Sequence, residues 1–150
     1  MKSVSLAGFA AALRTAAGAM HAAERHGLEV GAKLIEHEAK SLIGTEYPAW
    51  PALADSTVRE KAAKGQTGRV SATDPLLATG EMRATIGHQV ENRTALIGTP
   101  DPVAVFHEYG TERMPARPVF QPAGFRQGEA AANAIGKAVA HTLAGMRPDK

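Results

Sequence analysis

The sequence predicts an α+β fold: a long N-terminal helix, a small antiparallel sheet built on one hairpin, a short helix and a C-terminal helix. Three observations lead to it. Apolar or small residues recur every three or four positions at Leu6, Phe9, Leu13, Ala16, Met20, Ala23, Gly27, Val30 and Leu34, the stripe of an amphipathic helix. Alternation with period two then appears at Met82, Ala84, Ile86 and His88, and the helical period returns at Phe125, Ala132, Ile135, Val139 and Leu143. The 150 residues, 44% apolar and 21% charged, have the length and composition of one globular domain, 1–150.

The first stripe places a helix over residues 5–43, either continuous or broken near Gly27. Gly18, Gly27 and Gly31 each cost about 1 kcal/mol relative to Ala, so this helix needs a partner surface, either its own sheet or another copy of the chain. Gly44 ends it, and Pro48 and Pro51 in the run TEYPAWP cannot continue it. Residues 45–75 read as an irregular segment. Within it, residues 56–63 suit a short helix capped by Asp55 or Ser56, and residues 65–73, with two glycines and small polar side chains, are expected to be mobile.

The hairpin is expected over about residues 82–97, with its turn at Glu91-Asn92 and its end at Gly98 and Pro100. Asp101-Pro102 starts a short helix, 103–109, that Gly110 closes. Residues 111–116 form a loop, and residues 117–120 suit either one strand, which Pro118 would confine to a sheet edge, or an extended connector. The final helix covers about 122–143, within a 76–145 block of sheet and helices, and residues 146–150 are a tail. Leu76, Leu77, Met82, Ile86, Leu96, Ile97 and Phe106 are assigned to the core or to a tight subunit contact.

Composition excludes several functions. With 17 Lys and Arg against 15 Asp and Glu, the net charge of +2 leaves no strong footprint for nucleic acid. No cysteine is present, which closes thiol chemistry. The six histidines form neither an H-E-x-x-H motif nor a paired metal spacing, and Glu36, His37 and Glu38 point about 100° apart on a helix, so neither metal nor cofactor is expected. Residues 64–69 look like a phosphate loop but lack its Gly-Lys-Ser/Thr ending. His107-Glu108 has the composition of an acid–base pair, yet reads more simply as the polar face of a short helix. No signal peptide or membrane anchor is expected, and the chain is read as non-enzymatic.

Two segments carry a family resemblance. Trp50-Pro51, Thr57, Lys61 and the run from Pro75 to Ile86 (PLLATGEMRATI) resemble a pattern of phage virion-morphogenesis and neck proteins. Phe106 to Thr111 (FHEYGT) and Met114 to Ala123 (MPARPVFQPA) are similar to the signature of the siphophage minor tail component family, which includes tail-completion proteins like lambda's protein Z. Val119 stands between Pro118 and Phe120, where that family has Pro-Phe directly. The matched region covers residues 48–125 in the family's order.

The resemblance implies a structural virion protein of the head–tail connector, a tail-completion or tail-terminator ring component of six- or twelve-fold symmetry. Its partners would be its own copies, neighbouring neck and tail-tube proteins and, at most non-specifically, the DNA in the channel. Residues 101–112 hold Asp101, Glu108 and Glu112 without Lys or Arg, and residues 113–126 hold Arg113, Arg117 and Arg126 without an acid, which suits head-to-tail packing round a ring. Glu108, Tyr109, Arg113, Met114, Arg117 and Phe120 are the interface candidates. Internal pairing of Arg117 with Glu108 or Glu112 is the alternative. The competing function is a DNA-binding accessory protein of phage assembly that works through the same arginines.

Overall fold

The computed structural model describes residues 5–45, 47–64 and 72–145. Its elements in order are α1 (Leu6–Leu42), α2 (Asp55–Ala63), α3 (Glu81–Thr85), β1 (Gly87–Glu91), β2 (Thr94–Gly98), α4 (Val103–Tyr109) and α5 (Phe120–Gly145). The α+β class is as expected: two long helices, one hairpin and three short helices.

α1 is unbroken, and the Ser5 hydroxyl caps it by accepting from the Gly8 N–H at 3.1 Å. Two of its glycines set how closely α5 approaches it. A Cβ built on Gly27 would fall 2.6 Å from the Ile135 Cα of α5, and one on Gly31 would fall 3.0 Å from the Ala131 Cβ. The two long helices therefore pack antiparallel and closer than side chains at these positions would allow. Gly18 faces open space and serves no such purpose. The other partner of α1 is the hairpin, so the required surface comes from the chain itself over most of the helix.

The hairpin is shorter than expected. Residues 81–85 are helical rather than extended, so Met82 reaches the core from a helix turn and the first strand begins at Gly87. The turn lies at Asn92-Arg93, one residue beyond the expected place. Both residues have positive φ, 48° and 65°, between the paired Glu91 and Thr94, as a two-residue hairpin of right-handed twist requires. Among the described residues the sheet has two strands, so the edge strand at 117–120 is absent and the alternative of a connector leading into α5 holds. The N–H groups of Val119, Phe120 and Gln121 are taken by the Glu108 carboxylate instead, so Phe120 opens α5.

α2 starts at Asp55, with Ala54 at the cap position and no side-chain cap, so neither Asp55 nor Ser56 caps it. Residues 65–71 of the expected mobile loop lie outside the described residues. The core joins Ala39, Leu42 and Ile43 of α1 to Trp50, Leu77, Ile86, Val119 and Ala123. The Trp50 Nε1–H donates to the Pro118 carbonyl at 3.2 Å, and the Tyr47 ring meets the Trp50 ring edge-on at 5.4 Å between centroids. Leu77 and Ile86 are buried as expected, Leu76 and Met82 pack half-buried against that core, and Ile97 is half-buried. Leu96 and Phe106 are exposed, so only a subunit contact would cover them. Leu96 lies opposite Gln89 in the hairpin, and α4 buries Ala104 instead of Phe106.

Candidate subunit interface

The segment from α4 to the start of α5 is fixed by bonds that its sequence spacing conceals. The Asp101 carboxylate accepts from the Val103 N–H at 2.9 Å and starts α4. Gly110 ends it at φ +75°, where a Cβ would fall 2.8 Å from the Ala116 backbone nitrogen. Thr111 and Met114 then close a tight loop through reciprocal backbone bonds of 2.8 and 3.2 Å, and the Thr111 hydroxyl accepts from the Arg113 and Met114 N–H groups.

Glu108 is the pivot. Its carboxylate accepts three N–H bonds of 2.7 to 3.1 Å from Val119, Phe120 and Gln121, and so serves as a remote cap on α5. A negative charge at a helix N-terminus satisfies orphan donors and opposes the positive end of the dipole. Arg117 is 6% exposed and donates from Nη2 to the Pro51 and Ala52 carbonyls at 2.9 and 3.0 Å, while its own N–H donates to the His107 carbonyl at 2.7 Å. Arg117 therefore works inside its own chain, with carbonyl partners rather than Glu108 or Glu112. Arg126 is also engaged: it bonds Glu38 at 2.8 Å and lies 4.8 Å over the Tyr47 ring. Of the two charged halves of the segment, these contacts leave Glu112 and Arg113 as exposed members without an ion pair among the described residues.

Tyr109 is 80% exposed, whereas Met114 and Phe120 are half-buried. Val103, Val105 and Phe106 are exposed beside Tyr109, giving α4 an apolar outer surface to which Val103 and Val105 add residues not expected there from the sequence. Its signal was legible: seven helical residues with four large apolar side chains cannot turn all of them inward.

Behind the loop lies a cleft of about 450 Å³ whose lining includes Lys61, Lys64, His107, Arg113 and Arg117. Lys61 donates to the Asp74 carbonyl and Lys64 pairs with Glu60, so part of this charge is already engaged. His107 Nδ1 is buried without a hydrogen-bond partner among the described residues, and burial together with the Arg117 charge holds the ring below its ordinary pKa. Among the described residues no three His, Asp or Glu side chains group to hold a metal, and no helix is long and apolar enough to cross a membrane.

A second polar cluster, absent from the sequence analysis, fastens the hairpin to α1. His88 Nδ1 bonds Glu36 and its Nε2 bonds Glu29 at 3.2 Å. Glu36 also pairs with Lys40, and Arg93 at the turn pairs with Glu24 at 2.7 Å. The Glu36 bond, assisted by Glu29, raises the His88 pKa despite burial, and bonds from Lys40 and His88 lower that of Glu36. No local sequence signal announces the two His88 bonds, which span 52 and 59 residues.

The phage virion morphogenesis family matches the chain over residues 4–142. No curated protein matches it, and no solved structure does.

Proposed function

Because the chain belongs to the phage virion morphogenesis family, a structural family of the phage particle, we propose that it is a tail-completion or tail-terminator component of the neck. In this reading several copies form a ring around the DNA channel, joined to neighbouring neck and tail-tube proteins. The observation that carries it is the outer surface of α4 and its loop: Val103, Val105, Phe106 and Tyr109 are exposed on a segment made rigid from behind by Glu108 and Arg117. A rigid apolar surface loses little entropy on docking, and aromatic side chains are enriched at interface centres. Of the six sequence-stated candidates, Tyr109, Arg113 and Met114 remain available to a neighbour. Glu108 and Arg117 contribute by holding the loop, and Phe120 by seating it on the core.

A phage with this gene disrupted tests the reading. Filled heads and finished but unjoined tails are expected, with infectivity restored when the purified protein is added to the lysate. Normal joined particles would reject it. A DNA-binding accessory role draws on the basic lining of the cleft, Lys61, Lys64 and Arg113. It requires duplex binding that weakens steeply with salt, and absence of binding at about 50 mM salt would dispose of it.

A further inference from the structure

α1 outruns its partner helix. Gly27 faces Ile135 and Gly31 faces Ala131, four residues forward in one helix and four back in the other. At that offset Gly145, the last residue of α5, falls level with about Ala17. The first three turns of α1, roughly 16 Å of helix, therefore project past α5. They carry Leu6, Phe9 and Leu13, which are 86%, 55% and 54% exposed. These residues continue the stripe that Ala23 and Gly27 bury further along, so the sequence extends a packing surface for which the described residues provide no cover.

The apolar surface of α4 lies at the opposite end. Glu108 of α4 caps the first residues of α5, beside the core formed with Ala39, Leu42 and Ile43 at the far end of α1. The length of α5, about 39 Å, separates the two surfaces. One pair of charges is complementary: residues 6–20 have Arg14 as their one charged side chain, and just beyond α4 Glu112 is exposed next to Arg113, whereas Glu108 is taken by the start of α5 and Asp101 by the Val103 N–H.

We propose that the projecting start of α1 in one copy docks on the outer surface of α4 in the next. Unlike surfaces at opposite ends make a heterologous contact, which propagates from copy to copy and closes into a ring when the rotation allows. Arg14 meets Glu112 across that contact, and neither has an ion-pair partner among the described residues of its own chain. The proposal rests on the ring reading above and specifies the contact that builds the ring.

The native chain has no cysteine, so single thiols can be placed cleanly. Phe9→Cys and Phe106→Cys change exposed positions. A mixture of the two variants with a short bis-maleimide should give cross-linked dimer, each variant alone should give little, and the double variant should give a ladder of multimers. Efficient cross-linking of Phe9→Cys with itself would overturn the proposal in favour of a symmetric pairing of α1 ends. No cross-link in the mixture while sizing still shows an oligomer would overturn this contact and leave the ring reading standing. A strict monomer, alone and with neck proteins, would overturn both. As an independent check, Arg14→Glu and Glu112→Arg should each shift assembly to at least tenfold higher concentration, and combining them should recover most of it. Failure of the combination to recover assembly would remove this ion pair from the proposal.

Discussion

Charged residues that looked like surface groups in the sequence prove to be internal fasteners. Arg117→Ala removes two charge-assisted bonds to the Pro51 and Ala52 carbonyls from a side chain that is 6% exposed, each bond worth about 1.5–3 kcal/mol. A lower melting temperature is expected even in the monomer, and unchanged melting would return Arg117 to the interface. Glu108→Ala removes three bonds at the start of α5 and should cost about 1–2 kcal/mol in denaturant unfolding. The His88 cluster gives a pH signature. The His88 contribution is complete below its unfolded value near 6.5 and fades as pH rises through its raised folded value. The Glu36 contribution is complete above its unfolded value near 4.5 and fades as pH falls through its lowered folded value. The stability lost in His88→Gln should therefore be largest between about pH 4.5 and 6.5 and shrink as pH rises through the raised folded value of His88. A loss independent of pH would mean that the ring acts by packing alone. None of these roles was legible in the sequence, because each joins residues remote along the chain through a carbonyl or a carboxylate that no local pattern marks.

Among the elements, the helices were the most legible. α1 and α5 carry apolar periodicity over their length, and Pro102 and Gly110 bracket α4. The extended segments were less legible for a local reason. Met82, Ala84 and Ile86 alternate like a strand, but the five residues before Ile86 form one helical turn that delivers Met82 and Ile86 to the core. The strand option at 117–120 was lost to a distant acceptor, Glu108. The glycines of α1 provide the clearest test at this scale. Gly18→Ala should stabilise by about 0.5–1 kcal/mol, since the position is open and Ala is the better helix former. Gly27→Ala should destabilise despite the same propensity gain, because its Cβ would press on the Ile135 backbone at 2.6 Å. Thermal melting of both variants is the check. Equal stabilisation would mean that α1 and α5 separate easily.

At the scale of the molecule, the core is small for the length of the helices that flank it. Ala39, Ala123 and the buried glycines draw α1 and α5 together, while bulkier side chains at Leu6, Phe9, Leu13, Phe106 and Tyr109 remain outside. A chain that spends its smallest residues inside and leaves large apolar ones exposed at both ends is suited to assembly, which accords with a family of phage morphogenesis proteins. The candidate interface was legible in part. Tyr109 and Met114 were identified from residue type and motif, but Val103, Val105 and the start of α1 required knowledge of which faces the fold leaves uncovered. Ile86, 3% exposed, connects the two long helices to the hairpin. Ile86→Ala should cost about 2–5 kcal/mol in denaturant unfolding. A loss below about 1 kcal/mol would show that the site collapses around the smaller side chain.

The most direct measurement is a cryo-electron microscopy map of the intact particle's neck, resolved well enough to place this chain. A ring of identical copies between head and tail tube is expected, with α4 of each copy against the projecting start of α1 in its neighbour. A particle whose neck and tail lack the chain altogether, or hold it as a single copy, would contradict this arrangement.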